Sequence, residues 1–199
     1  DRYMEYFFAV PWGDGVINPC NIRWIAKENA YALADSETSI LIVDETFKEM
    51  APALRSEVPS LRQIIYAGDG DTPAGMLNYE ALIVETEPVE DARRGGEHLL
   101  GIFYTGGTTG MPKGVVHGFA AFAYAAKTLV KIVGMTPDDR ALSYLPLAHV
   151  AERCVVEATS VYMGSRVYFA ESLETFLADL QRARPTFFFS VPRLWVKFQ

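Results

Sequence analysis

Cysteine is scarce in this chain. Its 199 residues include two, Cys20 and Cys154, and neither has a short-spaced partner. That excludes a disulfide framework or a cysteine-based zinc site and fits a reducing, cytoplasmic compartment. Positive charge is also short: 18 Lys and Arg stand against 25 Asp and Glu, a formal net charge of −7. A general nucleic-acid binder is usually basic, so no nucleic-acid partner is expected. Runs of about 18 apolar residues are missing, so no membrane-spanning helix is expected either; a peripheral membrane contact stays open. Half of the residues are apolar and 13% are aromatic, enough for a sizeable core and too much for a disordered chain.

Strand and helix signals alternate along the sequence. Tyr3 to Val10 has helical spacing closed by Pro11, and Val16–Pro19 reads as a short strand. A helix is expected from about Ala26 to Ala34, a strand over Ser39–Val43, a helix over Thr46–Leu54 and a strand over Leu61–Tyr66. After the polar stretch Glu85–Gly96 comes the apolar run from Leu100, and Phe119–Val133 is helical, with Gly134 as its stop. Strands over Arg140–Leu145, Arg166–Phe169 and Thr186–Val191 enclose a helix from Leu147 to about Tyr162. A second helix is capped by Ser172 and carries Leu173, Phe176, Leu177 and Leu180 at core spacing. This order predicts an α/β fold of layered, mainly parallel sheets with flanking helices. The chain opens inside one helical pattern and stops inside another, so it is expected to be an internal segment of a longer protein.

The most informative stretch is Tyr104-Thr105-Gly106-Gly107-Thr108-Thr109-Gly110-Met111-Pro112-Lys113-Gly114. A buried strand turns abruptly into a loop of glycines and threonines with one lysine. The glycines let backbone approach a ligand, the freed N–H groups can form an anion-binding concavity, and Lys113 adds a fixed positive charge. Together these suit a polyphosphate; composition alone leaves a tight Gly-rich turn between two strands, with Lys113 solvated, equally open. The nucleotide-hydrolase P-loop requires a Gly-Lys pair followed by a hydroxyl residue. Here Lys113 stands between Pro112 and Gly114, so that motif is excluded. A helix starting soon after the loop is expected to add its N-terminal dipole to phosphate binding.

The ordered motif resembles the phosphate-binding signature of the adenylate-forming superfamily of AMP-binding enzymes. It departs from the commonest form at Gly106, where a serine or threonine usually stands, and so loses one hydroxyl. Tyr144-Leu145-Pro146-Leu147-Ala148-His149 resembles the second motif of that superfamily. With Val150-Ala151-Glu152-Arg153 and the segment from Arg184 to Trp195, it is most similar to long-chain fatty-acid–CoA ligases. In isolation His149 reads as a half-buried residue at a helix start. Glu152 and Arg153 read as a local ion pair of little worth, and Phe187–Phe189 as core.

The resemblance implies part of the large N-terminal domain of an acyl-CoA synthetase-like fold over residues 1–199. A first sheet region would cover 1–97, the phosphate-loop and acyl-pocket region would cover 98–199, and the C-terminal domain would lie outside the chain. It implies ATP-dependent activation of a carboxylic acid, with coenzyme A as the second substrate and magnesium as the metal. Thr105 would stand on the magnesium. Gly106, Gly107, Thr108, Thr109, Gly110 and Lys113 would hold the phosphates, with Lys113 catalytic, and His149 would line the acyl channel. The segment alone is expected to be inactive. The competing readings are a non-catalytic nucleotide or acyl binder and an adenylating enzyme for an aryl or amino acid.

Overall fold

The computed structural model describes residues 2–106 and 110–197. They form two compact units that divide after Gly118. The sequence division at 97/98 would part the loop from the first sheet region; instead the strand entering the loop is bonded to that region's Ile17. Ile17 N donates to Leu100 O at 3.0 Å and Ile102 N to Ile17 O at 2.9 Å.

The first unit opens with helix α1 (Arg2–Trp12), which continues through Pro11 rather than stopping before it. Val16–Pro19 makes no extended strand, only the single bridge from Ile17 to Gly101. Helix α2 (Ala26–Asp35) leads to β1 (Ile40–Val43). A 3₁₀ turn (Lys48–Met50) precedes α3 (Ala51–Glu57). The expected helix over 46–54 starts late because Asp44 Oδ1 accepts from the amides of Thr46 and Phe47, a local turn that competes with helix. Strands β2 (Gln63–Tyr66) and β3 (Leu77–Asn78) follow, then α4 (Tyr79–Glu85).

Parallel pairing sets Ile40 opposite Gln63 and Ile65 opposite Leu77, in the order β1-β2-β3. Leu41, Val43 and Ile64 bury one face of this sheet with Leu33, Leu54 and Val58 from the helical segments. The alternation of buried and open positions along β1 and β2 is that of a half-buried sheet. A cavity of about 770 Å³ in this unit is lined by residues such as Tyr6, Asn18 and Ile42. None of the described candidate phosphate-binding residues lines it.

Strands β4 (Leu99–Thr105) and β5 (Lys113–Gly118) complete the unit as an antiparallel hairpin. The second unit begins with α5 (Phe119–Val133), which has the bounds expected from sequence and ends at Gly134 in the left-handed region, φ 72°. Parallel strands β6 (Arg140–Ser143) and β7 (Arg166–Phe169) form its sheet. A continuous helical run lies between them: α6 (Val150–Glu152), a π-helical stretch (Arg153–Ala158) and α7 (Thr159–Met163).

Helix α8 (Phe176–Ala183) starts after Thr175, not Ser172. The Ser172 hydroxyl instead accepts from the Glu174 and Thr175 amides in a preceding turn, which leaves Leu173 91% exposed. The segment 186–191 makes only a bridge between Phe187 and Ala141, because Arg140 O takes both the Thr186 and Phe187 amides. Phe188 nevertheless packs on the Leu142–Phe176 core, as expected of that aromatic run. Helix α9 (Pro192–Lys197) ends the described residues. Among them no helix is long and apolar enough to cross a membrane.

Candidate functional site: a hairpin mouth and a histidine turn

Strand β4 is built for burial up to its last residue. Leu100, Gly101, Phe103 and Tyr104 are buried, and Thr105 is exposed. At Gly101 a Cβ would come within 2.9 Å of the Ile17 carbonyl oxygen, so only glycine admits that backbone crossing. Tyr104 fastens the strand end: its hydroxyl donates to Asp35 Oδ2 at 2.6 Å, at the last residue of α2. Burial, then the bond to Asp35, push the Tyr104 phenol well above its usual range, so it stays a donor. Its ring lies across Gly114, the residue opposite, where a Cβ would meet Tyr104 Cζ at 2.9 Å.

Thr105 and Lys113 are the last pair before the strands part. The Thr105 hydroxyl makes only a long contact to Lys113 O, 3.5 Å, and the Lys113 side chain is exposed. Among the described residues no carboxylate pairs with Lys113. The structure therefore brings a weakly bonded hydroxyl and an exposed cation, unpaired among the described residues, together at the hairpin mouth. Gly106 and Gly110 flank the loop, while Gly107, Thr108 and Thr109 lie outside the described residues. Among the described residues a Cβ on Gly106 would meet nothing closer than Trp24 Nε1 at 3.8 Å, so packing against them does not demand a glycine there. Sequence reading missed Trp24; its aromatic character alone gives no signal of that proximity.

The helix-dipole expectation is not met. Six residues of β5 intervene, and α5 starts after Gly118, whose partner is Leu99 at the opposite end of β4. That is about 17 Å of strand from Lys113, beyond the reach of a terminal dipole. Among the described residues no group of three His, Cys, Asp or Glu is arranged to hold a metal. Magnesium takes hydroxyl, phosphate and water oxygens, and the exposed Thr105 hydroxyl is a group of that chemistry.

His149 belongs to the second unit, where it is the N-cap of α6. Its Nδ1 accepts from the Ala151 amide at 3.1 Å, which leaves the proton on Nε2 in the neutral ring. His117 packs edge-on to Phe103, and burial lowers its pKa. His98 Nδ1 accepts from Gly95 N.

The Glu152–Arg153 expectation needs correction. Neighbours on a helix point to different sides. Arg153 pairs with Glu157, Nη1 to Oε2 at 2.8 Å, and all three side chains are fully buried. Glu152 Oε1 instead accepts from Ser143 Oγ at 2.6 Å and Tyr144 N at 3.1 Å. Burial pushes the Glu152 carboxyl up to about 7 against these bonds, and nearby Glu157 adds to the rise. Burial also raises Glu157, with Arg153 opposing.

With this geometry in hand, relatives can be compared. The AMP-binding enzyme family matches residues 1–199, and the chain belongs to it. It is 33% identical over 204 aligned residues to a long-chain-fatty-acid–CoA ligase of Thermus thermophilus, covering 98% of this chain and 36% of that protein. An indoleacetate–CoA ligase of Aromatoleum aromaticum is 33% identical over 74% of this chain and 29% of its own length. The chain thus spans about a third of the length of these relatives. Among solved structures, the anthranilate CoA ligase AuaEII with anthranoyl-AMP superposes with a TM-score of 0.85 at 25% identity, over 92% of this chain and 36% of that one. ATP-bound MatB from Rhodopseudomonas palustris gives 0.82 at 24%, over 98% and 38%. The α/β fold of parallel sheets with flanking helices is therefore that of the N-terminal domain of such ligases.

Proposed function

We propose that the protein carrying this chain activates a carboxylic acid with ATP and passes the acyl group to coenzyme A, and that the acid is a long-chain fatty acid. The carboxylate attacks the α-phosphorus, pyrophosphate leaves, and the resulting acyl-adenylate is attacked at its carbonyl carbon by the thiol, which releases AMP. The observation that carries this reading is the open hairpin mouth, where Lys113 and Thr105 have no strong partner among the described residues.

Pyrophosphate departs more readily when the charge growing on it is met by donors already in place. Lys113 supplies a full charge, and the amides of residues 106–110 with the Thr108 and Thr109 hydroxyls hold the β- and γ-phosphates. Holding the tail still also fixes the α-phosphorus for in-line attack. Magnesium, when bound, supplies charge neutralisation between phosphate oxygens, and Thr105 is the residue that would stand on it. His149 borders the acid in this reading. The long-chain assignment draws on the Leu147–Arg153 segment and the Thermus relative. Relatives named for 4-hydroxybutyrate and indoleacetate mark the alternatives for the acid.

Pyrophosphate exchange by the full-length protein tests the reading. Lys113→Ala is expected to cut kcat/KM for adenylation by about a hundredfold or more, and Thr105→Ala by about tenfold. The melting temperature should stay put, because neither side chain is buried. Unchanged exchange in Lys113→Ala would remove the phosphate assignment.

A further inference from the structure

The second unit contains a carboxylate that the proposed chemistry leaves unused. Glu152 is 0% exposed and closes α6, directly behind the turn that carries His149. Its Oε1 receives hydrogen bonds from Ser143 and Tyr144, the residues where β6 ends and the turn begins. The other arm of the turn is gripped too: Arg153 Nε donates to Leu147 O at 2.6 Å. Within the turn, His149 N donates to Pro146 O at 2.9 Å and Glu152 N to His149 O at 3.0 Å. Two adjacent side chains therefore hold the two arms of one turn, with His149 between them.

Tyr144 extends the constraint outward. Its ring stacks 5.5 Å from Phe188 and lies 5.2 Å from Phe176, and its hydroxyl pairs with Ser190 Oγ at 3.0 Å. The Leu145 backbone also faces the Glu152 carboxyl and favours its charged form, so the hold on the turn covers the three consecutive residues Ser143, Tyr144 and Leu145.

We propose that Glu152 is a positioning residue for acid selection: by fixing residues 143–145 it sets where His149 stands, and with it the length of acyl chain the enzyme prefers. This rests on the reading that His149 borders the acid. The side chain acts through the turn and touches no reacting atom.

The test compares kcat/KM for a long-chain and a short-chain acid, with the KM for ATP, in the full-length enzyme. Glu152→Ala is expected to lower the long-to-short ratio about tenfold while the ATP KM stays within about twofold. Glu152→Gln, whose amide oxygen still accepts from Ser143 and Tyr144, should restore the ratio to within about threefold of wild type. Ser143→Ala removes one donor and should shift the ratio the same way by less, and it carries the test if Glu152→Ala does not fold. An unchanged ratio in Ser143→Ala, or an equal fall for both acids in Glu152→Ala, overturns the proposal and leaves Glu152 a purely structural residue. His149→Ala separates the two layers. If it alone moves the ratio, the Glu152 inference fails and the His149 reading stands; if nothing moves the ratio, both fail.

Discussion

The ends of β4 and β6 are built on opposite plans. At the end of β4 everything up to Tyr104 is fixed; beyond it the Thr105 hydroxyl makes only a long contact and, among the described residues, no carboxylate pairs with Lys113. At the end of β6 the turn is filled by the protein's own polar groups, with Ser143, Tyr144 and Leu147 held by the side chains of Glu152 and Arg153. An open cation on a rigid stem is arranged to gain its partner from a ligand. A turn whose polar groups are already matched inside the fold has its shape decided before any ligand arrives. In the proposed function this difference is a division of labour, with charge recognition at the hairpin and shape recognition at the histidine turn.

Substitutions can break each side of that comparison. The largest effect should come from the closed side. Glu157→Ala leaves the Arg153 guanidinium without its buried carboxylate, and a loss of about 3–5 kcal/mol is expected from urea unfolding. A pH series is next. Because the folded-state pKa of Glu152 is raised from 4.5 to about 7, the folded protein holds this proton longer than the unfolded chain does. The stability it contributes is present below about pH 4.5 and lost as pH rises to about 7, on the order of 3 kcal/mol. Glu152→Gln should flatten that fall, leaving the smaller slope of Glu157, which has the same sign. A fall of equal depth in both proteins would mean that Glu152 is not the group titrating.

The open side gives a smaller effect. Gly114→Ala drives a methyl against Tyr104 and Ile102 and should lower stability by about 1–3 kcal/mol. It should also weaken ATP binding, because the Tyr104 ring that stiffens the mouth must move. Full stability and full ATP affinity in this variant would show that the mouth does not depend on its stem.

The stretch from Thr105 to Gly114 stood out in the sequence because a buried strand gives way there to glycines, hydroxyls and one lysine, and the exposed Thr105 and Lys113 at the strand ends agree with that change. Helix α5 was legible to the residue because its apolar stripe ends at a glycine that the left-handed stop requires. Strand β5 entered only through the plain-turn reading, as the second of two strands around a Gly-rich turn, and the hairpin bears that out: Lys113–Gly118 is short and largely exposed, and its pairing with β4 makes it a strand. The buried trio Glu152, Arg153 and Glu157 was invisible. Charged residues on a helix read as a solvated face, and the π-helical stretch from Arg153 to Ala158 that sits at their burial leaves no mark in residue type. Leu173 looked like core because it fits the spacing of α8, yet it precedes the helix and is exposed.

The most direct measurement is a crystal structure of the full-length protein with ATP bound. The account predicts the β- and γ-phosphate oxygens within about 3 Å of Lys113 Nζ and of the amides of residues 106–110, with the Thr105 hydroxyl turned toward the phosphates or their metal. A triphosphate lying away from residues 105–113, with Lys113 still in solvent, would contradict it.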